Sequence, residues 1–411
     1  MQRIAMLGTT VALAVCGFAV EGHAQSANTV CSPETVNAPL PLVYQSPTVL
    51  DDGRVQFRIC LPGAAAVKLV SSEMPGVPPG TFGKDPGGQV MTKDADGFWS
   101  TTLGPVEPGT YRYTFDVAGA RVPDPKAQVF TQGFSGVSSI LDVPGPHVAV
   151  QMFDPNVRHG QVSVIQYASK SLETTRRAHV YTPPGYERGG SLRYPVLYLV
   201  HGAGDTDDVW TTIGHANDIL DNLIAAGKVK PMIVVMPYGH TPPRAGVNWW
   251  ANTDFGNDLL KDLIPYIDGN YRTLATARDR AMAGLSMGGN HTIQFGITHP
   301  DIFRDIGVFS MGLSDDERVK AYVAEYSANL KRRAASLGLL FYAIGKDDFL
   351  YPSVAPTRKV LDQFKIKYTY RESTGGHVWK NWREYLVEFL PQLFSGAQQP
   401  NDGENNHGDK E

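Results

Sequence analysis

The chain has 411 residues and a formal net charge of −4 at pH 7. Its 37 Lys and Arg nearly balance 41 Asp and Glu, which excludes both the basic footprint of a nucleic-acid-binding protein and the composition of an acidic solvating chain. The length leaves room for two or three domains and an ample core.

Residues 1–24 have the pattern of a secretory signal: Arg3, an apolar stretch from Ile4 to Val20, and the small Ala24 before Gln25. A lipoprotein signal would use Cys16, but Val15 is large for the position before a lipidated cysteine. The mature chain is therefore expected to be secreted or periplasmic, with no membrane association after signal removal, since no later run is apolar enough to span a bilayer. Export leaves Cys31 and Cys60, an even pair in an oxidising compartment, and a disulfide between them would tie the N-terminal segment 25–45 to the first domain.

From 46 to 145 the chain alternates in short runs such as VQFRICL and TYRYTFDVAG between Gly, Pro and Asp turn clusters, with no helical period. That pattern predicts a small β-sandwich. Trp99, Tyr111 and Tyr113 offer faces on which a sugar stacks, but period-2 aromatics are also what a buried sandwich core produces, and core is the reading adopted. The Gly- and Pro-rich stretch MPGVPPGTFGKDPGG reads as a long exposed connection. Residues 146–160 form a short linker leading straight into a strand, so the sandwich is expected to pack against the second domain, with the loop around 74–88 overhanging the cleft.

Over 161–394 the pattern becomes α/β. VSVIQY, RRAHVYTP, VLYLVHG, MIVVMP, RAMAGLS, DIGVFS, LLFYAIG and IKYTYRE read as strands, and helical stretches such as GHANDILDNLIAAGK, with Gly227 as its stop, separate most of the later ones. Alternating strands and helices predict a mostly parallel sheet covered on both faces, with its site at the carboxyl ends of the strands. The polar segment 395–411 reads as a disordered tail.

One stretch organises this domain. RAMAGLSMGGNHTIQ, residues 280–294, holds Ser286 between Gly284 and Gly288, with a strand before the serine and a helix after it. This is the pattern of a nucleophile elbow, whose sharp turn exposes the serine at the sheet edge and tolerates no Cβ at its flanks. In an α/β-hydrolase order the acid and then the histidine come after the serine. His377, after the strand IKYTYRE and the pair Gly375 and Gly376, takes the place of the base. GLLFYAIGKDDFL supplies two adjacent candidate acids, Asp347 and Asp348. An oxyanion hole needs the N–H of Met287 and one from the turn in VLYLVHGAGD, where Ala203 is the choice and Gly202 and Gly204 are alternatives. His201 is expected to brace this turn. Trp249 and Trp250, on a loop at the same edge, either wall the acyl pocket or belong to the core.

Together VLYLVHGAGD, DNLIAAGKVKPMIVVMP, GLSMGG, HPDIFRDIGVFS, GKDDFL and GGHVWKNWREYL resemble the esterase D family, especially the feruloyl and acetylxylan esterases of carbohydrate esterase family 1. The segment WSTTLGPVEPGTYRYTFDVAGARVPDP resembles the immunoglobulin-like modules, related to the glycogen-binding type, that precede many carbohydrate-active enzymes. The resemblance implies an α/β-hydrolase domain carrying a Ser286, Asp348, His377 triad, with Asp348 placed as the acid by the adjoining Phe349 and Leu350. It implies no metal and no cofactor, and a substrate of ester-decorated polysaccharide or oligosaccharide such as xylan. Siderophore (enterobactin-type) esterases share the fold and mark the alternative activity; a non-catalytic carbohydrate-binding protein is the alternative of another class.

Overall fold

The computed structural model describes residues 30–37, 42–80, 87–134, 136–336 and 338–395. The expected signal over 1–24, the tail from 396 onward and the tip of the 74–88 loop, residues 81–86, lie outside the described residues.

Between Thr48 and Val143 the strands form a four-stranded and a six-stranded sheet, paired antiparallel throughout. Alternate residues Val55, Phe57 and Ile59 are buried along their strand. They meet Leu69, Tyr113 and Phe115 of the other sheet in one core, where the Phe57 and Tyr113 rings pack edge to face with centroids 5.0 Å apart. Tyr111 is buried in the same core, and Trp99 is half-buried with its Nε1–H donated to the Leu61 carbonyl at 3.1 Å. These aromatics are spent on the sandwich interior. Cys31 and Cys60 are joined by a disulfide with a Cα–Cα distance of 5.4 Å.

The third sheet, in the second domain, has eight strands. Gln161–Ser169 and Thr174–Thr182 make an antiparallel hairpin on one edge. Ile233–Pro237, Val196–Val200, Arg280–Leu285, Asp305–Phe309, Leu340–Gly345 and Thr369–Ser373 come next across the sheet, parallel to one another. Along Val196–Val200 every residue is buried, because alternate side chains feed two cores: Tyr198 and Val200 enter one, Leu197 and Leu199 the other. Helices cover both faces of the inner strands, which removes Val196–Val200, Ile233–Pro237, Arg280–Leu285, Asp305–Phe309 and Leu340–Gly345 from water at every residue, while the edge strands Gln161–Ser169 and Thr369–Ser373 stay largely exposed or half-buried.

The two parts share a core. Ile140 of the sandwich packs within the cluster that holds Leu199, Trp379 and Leu386. The 146–160 connection is fastened down: Pro146–Gln151 forms a short 3₁₀ turn, and Asn222 donates to the carbonyls of Val150 and Met152 at 3.0 and 2.8 Å. Buried Arg383 bonds Gln151 at 2.9 Å and the Ile213 carbonyl at 2.8 Å.

Candidate active site

Ser286 stands between the Arg280–Leu285 strand and the helix that begins at Met287, with φ 51° and ψ −117°. That is a costly region for a residue with a Cβ, held only where the surroundings dictate it. Here the Ser286 N–H donates to the Phe309 carbonyl at 3.0 Å, and its carbonyl accepts from the Asn290 N–H at 2.9 Å. The flanking glycines are required by contact. A Cβ on Gly284 would lie 2.4 Å from the Gly288 carbonyl carbon, and one on Gly288 would lie 2.3 Å from the Val200 oxygen.

His377 follows the Thr369–Ser373 strand and precedes the Trp379–Phe389 helix. Its Nδ1 lies 3.0 Å from each carboxylate oxygen of Asp348, whose side chain is fully buried. With Nδ1–H donated there, Nε2 is the basic nitrogen. The ring is held between Phe349, centroid 4.5 Å away, and the edge of Trp382 at 4.9 Å. Trp382 is pinned in turn by its Nε1–H, donated to Ser310 Oγ at 2.9 Å. Asp347 does something else: it accepts the Gly375 N–H at 3.1 Å and donates its own N–H to the Gly375 carbonyl at 3.1 Å.

Ser286 and His377 line one cavity of about 220 Å³, together with Gly202, Ala203 and Trp382. Met287 is the first residue of its helix, so its N–H is among the four without an intrahelical acceptor. The Gly202 end of the neighbouring turn is braced by His201, which bonds the Gly202 carbonyl through Nδ1 at 2.8 Å and accepts the Gly239 N–H at Nε2, also 2.8 Å. Burial pulls the His201 imidazole down to about 3, so it remains neutral and structural. His291 is likewise pulled down to about 3 by burial and lies 3.1 Å from the Gly239 carbonyl.

Trp249 and Trp250 are not among the residues lining this cavity. Trp249 is 57% exposed, Trp250 lines a small separate cavity with Tyr322 and Tyr326, and the Arg318 guanidinium sits 5.8 Å from both ring centroids. The sandwich, by contrast, contributes Ser72, Glu73 and Arg112 to the wall of the Ser286 cavity. Nothing local in the sequence marks these three, because their role depends on a docking angle. Ser310, at φ 47° directly after a strand, is equally unmarked. Among the described residues no group of three or more His, Cys, Asp or Glu is placed to hold a metal, and no helix is long and apolar enough to cross a membrane.

The Esterase family model ("Putative esterase") matches residues 169–393, more than half of the chain. The chain belongs to the esterase family. Among curated proteins it is 35% identical over 294 residues to the endo-1,4-beta-xylanase/feruloyl esterase of Xylanibacter ruminicola, covering 70% of this chain and 39% of that one. It is 25% identical over 300 residues to endo-1,4-beta-xylanase Y of Acetivibrio thermocellus, covering 66% and 26%. The chain thus spans well under half the length of these relatives. A solved ferulic acid esterase aligns with TM-score 0.50 and 28% identity over 57% of this chain and 97% of that one. The enterobactin esterase of Shigella flexneri aligns with TM-score 0.58 over 83% and 92%, at 18% identity, a likeness of fold alone.

Proposed function

We propose that the protein is a secreted serine esterase that removes feruloyl or acetyl groups from plant cell-wall polysaccharide such as xylan. The observation that carries this reading is the pairing of His377 with buried Asp348 beside a cavity that also holds Ser286 on its strained turn. Ser286 Oγ attacks the ester carbonyl while His377 Nε2 takes its proton, and Asp348 holds the imidazole and stabilises its cation. The N–H groups of Met287 and Ala203 receive the oxyanion. His377 returns the proton to the departing sugar hydroxyl, and water releases the acid from Ser286 by the same route. The choice of acyl group and polymer is supported by the feruloyl esterase relatives at 35% and 28% identity, and secretion by the Cys31–Cys60 disulfide.

The test is hydrolysis of methyl ferulate, acetylated xylan and a catecholate siderophore side by side, with Ser286→Ala as control. Turnover of the first or second, lost in the variant, is expected. Turnover of the siderophore alone would overturn the polysaccharide reading.

A further inference from the structure

We infer that Arg112, a residue of the sandwich, positions the oxyanion turn of the esterase domain by clamping Asp205. The inference rests on the serine-esterase reading and goes beyond it, because it makes the N-terminal sandwich a working part of the catalytic centre.

The turn at 202–205 is fixed from two directions. His201 holds its Gly202 end from within the esterase domain. Its Gly204–Asp205 end is held by the sandwich: the Phe134 N–H donates to the Gly204 carbonyl at 2.9 Å, Gly133 and Asp205 pair as an antiparallel bridge, and Arg112 Nη1 donates to Asp205 Oδ1 at 2.6 Å. Ala203, whose N–H is assigned to the oxyanion, lies between the two anchors. Gly204 has φ +84° and a Cβ there would touch nothing within 4 Å, so the turn's shape is imposed by its ends rather than by packing at its apex.

Arg112 is a rigid anchor. The same guanidinium is held by Glu73 through Nε at 3.1 Å and Nη2 at 2.6 Å, so the clamp transmits the sandwich's position to Asp205. Both carboxylates are largely buried. Removing the guanidinium leaves two buried carboxylates side by side without a cation between them, Glu73 keeping only the backbone N–H of residue 112 at 3.4 Å, and they separate or draw in water. Displacing an oxyanion donor by about 1 Å is enough to cost on the order of 10²-fold in rate.

The test compares wild type with Arg112→Gln, Asp205→Asn and the double variant, on p-nitrophenyl acetate. Each single variant should lose about 10- to 100-fold in kcat with KM within about twofold of wild type. Affinity for a boronic acid, which forms a tetrahedral adduct on the serine, should fall with kcat, while affinity for the planar product ferulate should not. The double variant should lose no more than the worse single one, since both remove one clamp. Should Arg112→Gln not fold, Asp205→Asn, which leaves the Arg112–Glu73 pair intact, decides alone. An unchanged kcat, a rise in KM alone, or losses that multiply in the double variant would overturn the inference. Ser286→Ala in the same assay keeps the two ideas apart: retained turnover there would refute the nucleophile itself, whereas a dead Ser286→Ala beside a fully active Asp205→Asn would refute only the clamp.

Discussion

His377 Nδ1 lies 3.0 Å from both carboxylate oxygens of Asp348, while the adjacent Asp347 turns its carboxylate to the Gly375 N–H. One aspartate therefore orients the imidazole and the other shapes the loop that carries it. Asp348→Asn places an amide where an acceptor is needed and favours the wrong imidazole tautomer, so kcat should fall on the order of 10³- to 10⁴-fold. Asp347→Asn keeps an acceptor for Gly375 and should cost less than about tenfold. Steady-state kinetics on methyl ferulate decides the ranking, and a reversed order would remove Asp348 from the mechanism.

The elbow glycines make a separate prediction about stability. In Gly288→Ala the new methyl would press on backbone, the Val200 oxygen at 2.3 Å, which cannot swing aside as a side chain does. The loss should be on the order of 3 kcal/mol or more, read as a lower denaturation midpoint or as insoluble protein. A Gly288→Ala enzyme with wild-type melting would show that the turn is looser than its contacts imply.

Much of this architecture is legible in the sequence because its signals are local. The five inner strands of the large sheet announce themselves as short apolar runs, its outer strands as runs rich in β-branched and aromatic residues, and the elbow as a serine spaced between glycines that contact forbids from being anything else. Asp347 and Asp348 already strain that legibility: residues so similar in type and position are separated only by where the Gly375 loop returns. Arg112, Glu73 and Asp205 exceed it. Arg112 and Asp205 are 93 positions apart, and an ion pair between two domains leaves no periodicity to read. Trp249 and Trp250 are open in the sequence between pocket wall and core, and a loop's residues do not declare which surface they will cover: Trp250 lines a separate cavity beside Asn290 and Ile293 rather than the one that holds Ser286.

The domain boundary also carries a titrating group. Burial works against the His215 cation, but the carboxylates of Asp142 and Asp218, 3.1 and 2.8 Å away, outweigh it and raise the imidazole to about 9. A folded-state value above the ordinary one near 6.5 means that the protonated ring favours the fold. This contribution is complete below about pH 6.5 and lost as pH rises through about 9. Because Asp142 belongs to the sandwich, the interface should loosen in alkali. Melting temperature should fall between about pH 7 and 9.5, and fall less in His215→Asn, a difference on the order of 1 to 3 kcal/mol. Equal alkaline slopes for the two proteins would refute the assignment.

Deleting residues 25–150 should do more than weaken binding to polymer. It removes Ile140 from the esterase core, takes the Asp142 carboxylate from His215, and strips the Glu73 and Arg112 wall from the Ser286 cavity. The truncated chain should aggregate, melt lower or show altered kinetics even on a nitrophenyl ester. A soluble, equally heat-stable fragment with unchanged kinetics on small esters would mean that the sandwich is only a tethered anchor.

Ser286 as the nucleophile is tested by peptide mapping with mass spectrometry after inactivation with a phosphonate ester that traps nucleophilic serines. One adduct per chain is expected, on the peptide carrying Ser286, appearing in step with the loss of methyl ferulate hydrolysis. Complete inactivation with Ser286 unmodified would contradict that assignment.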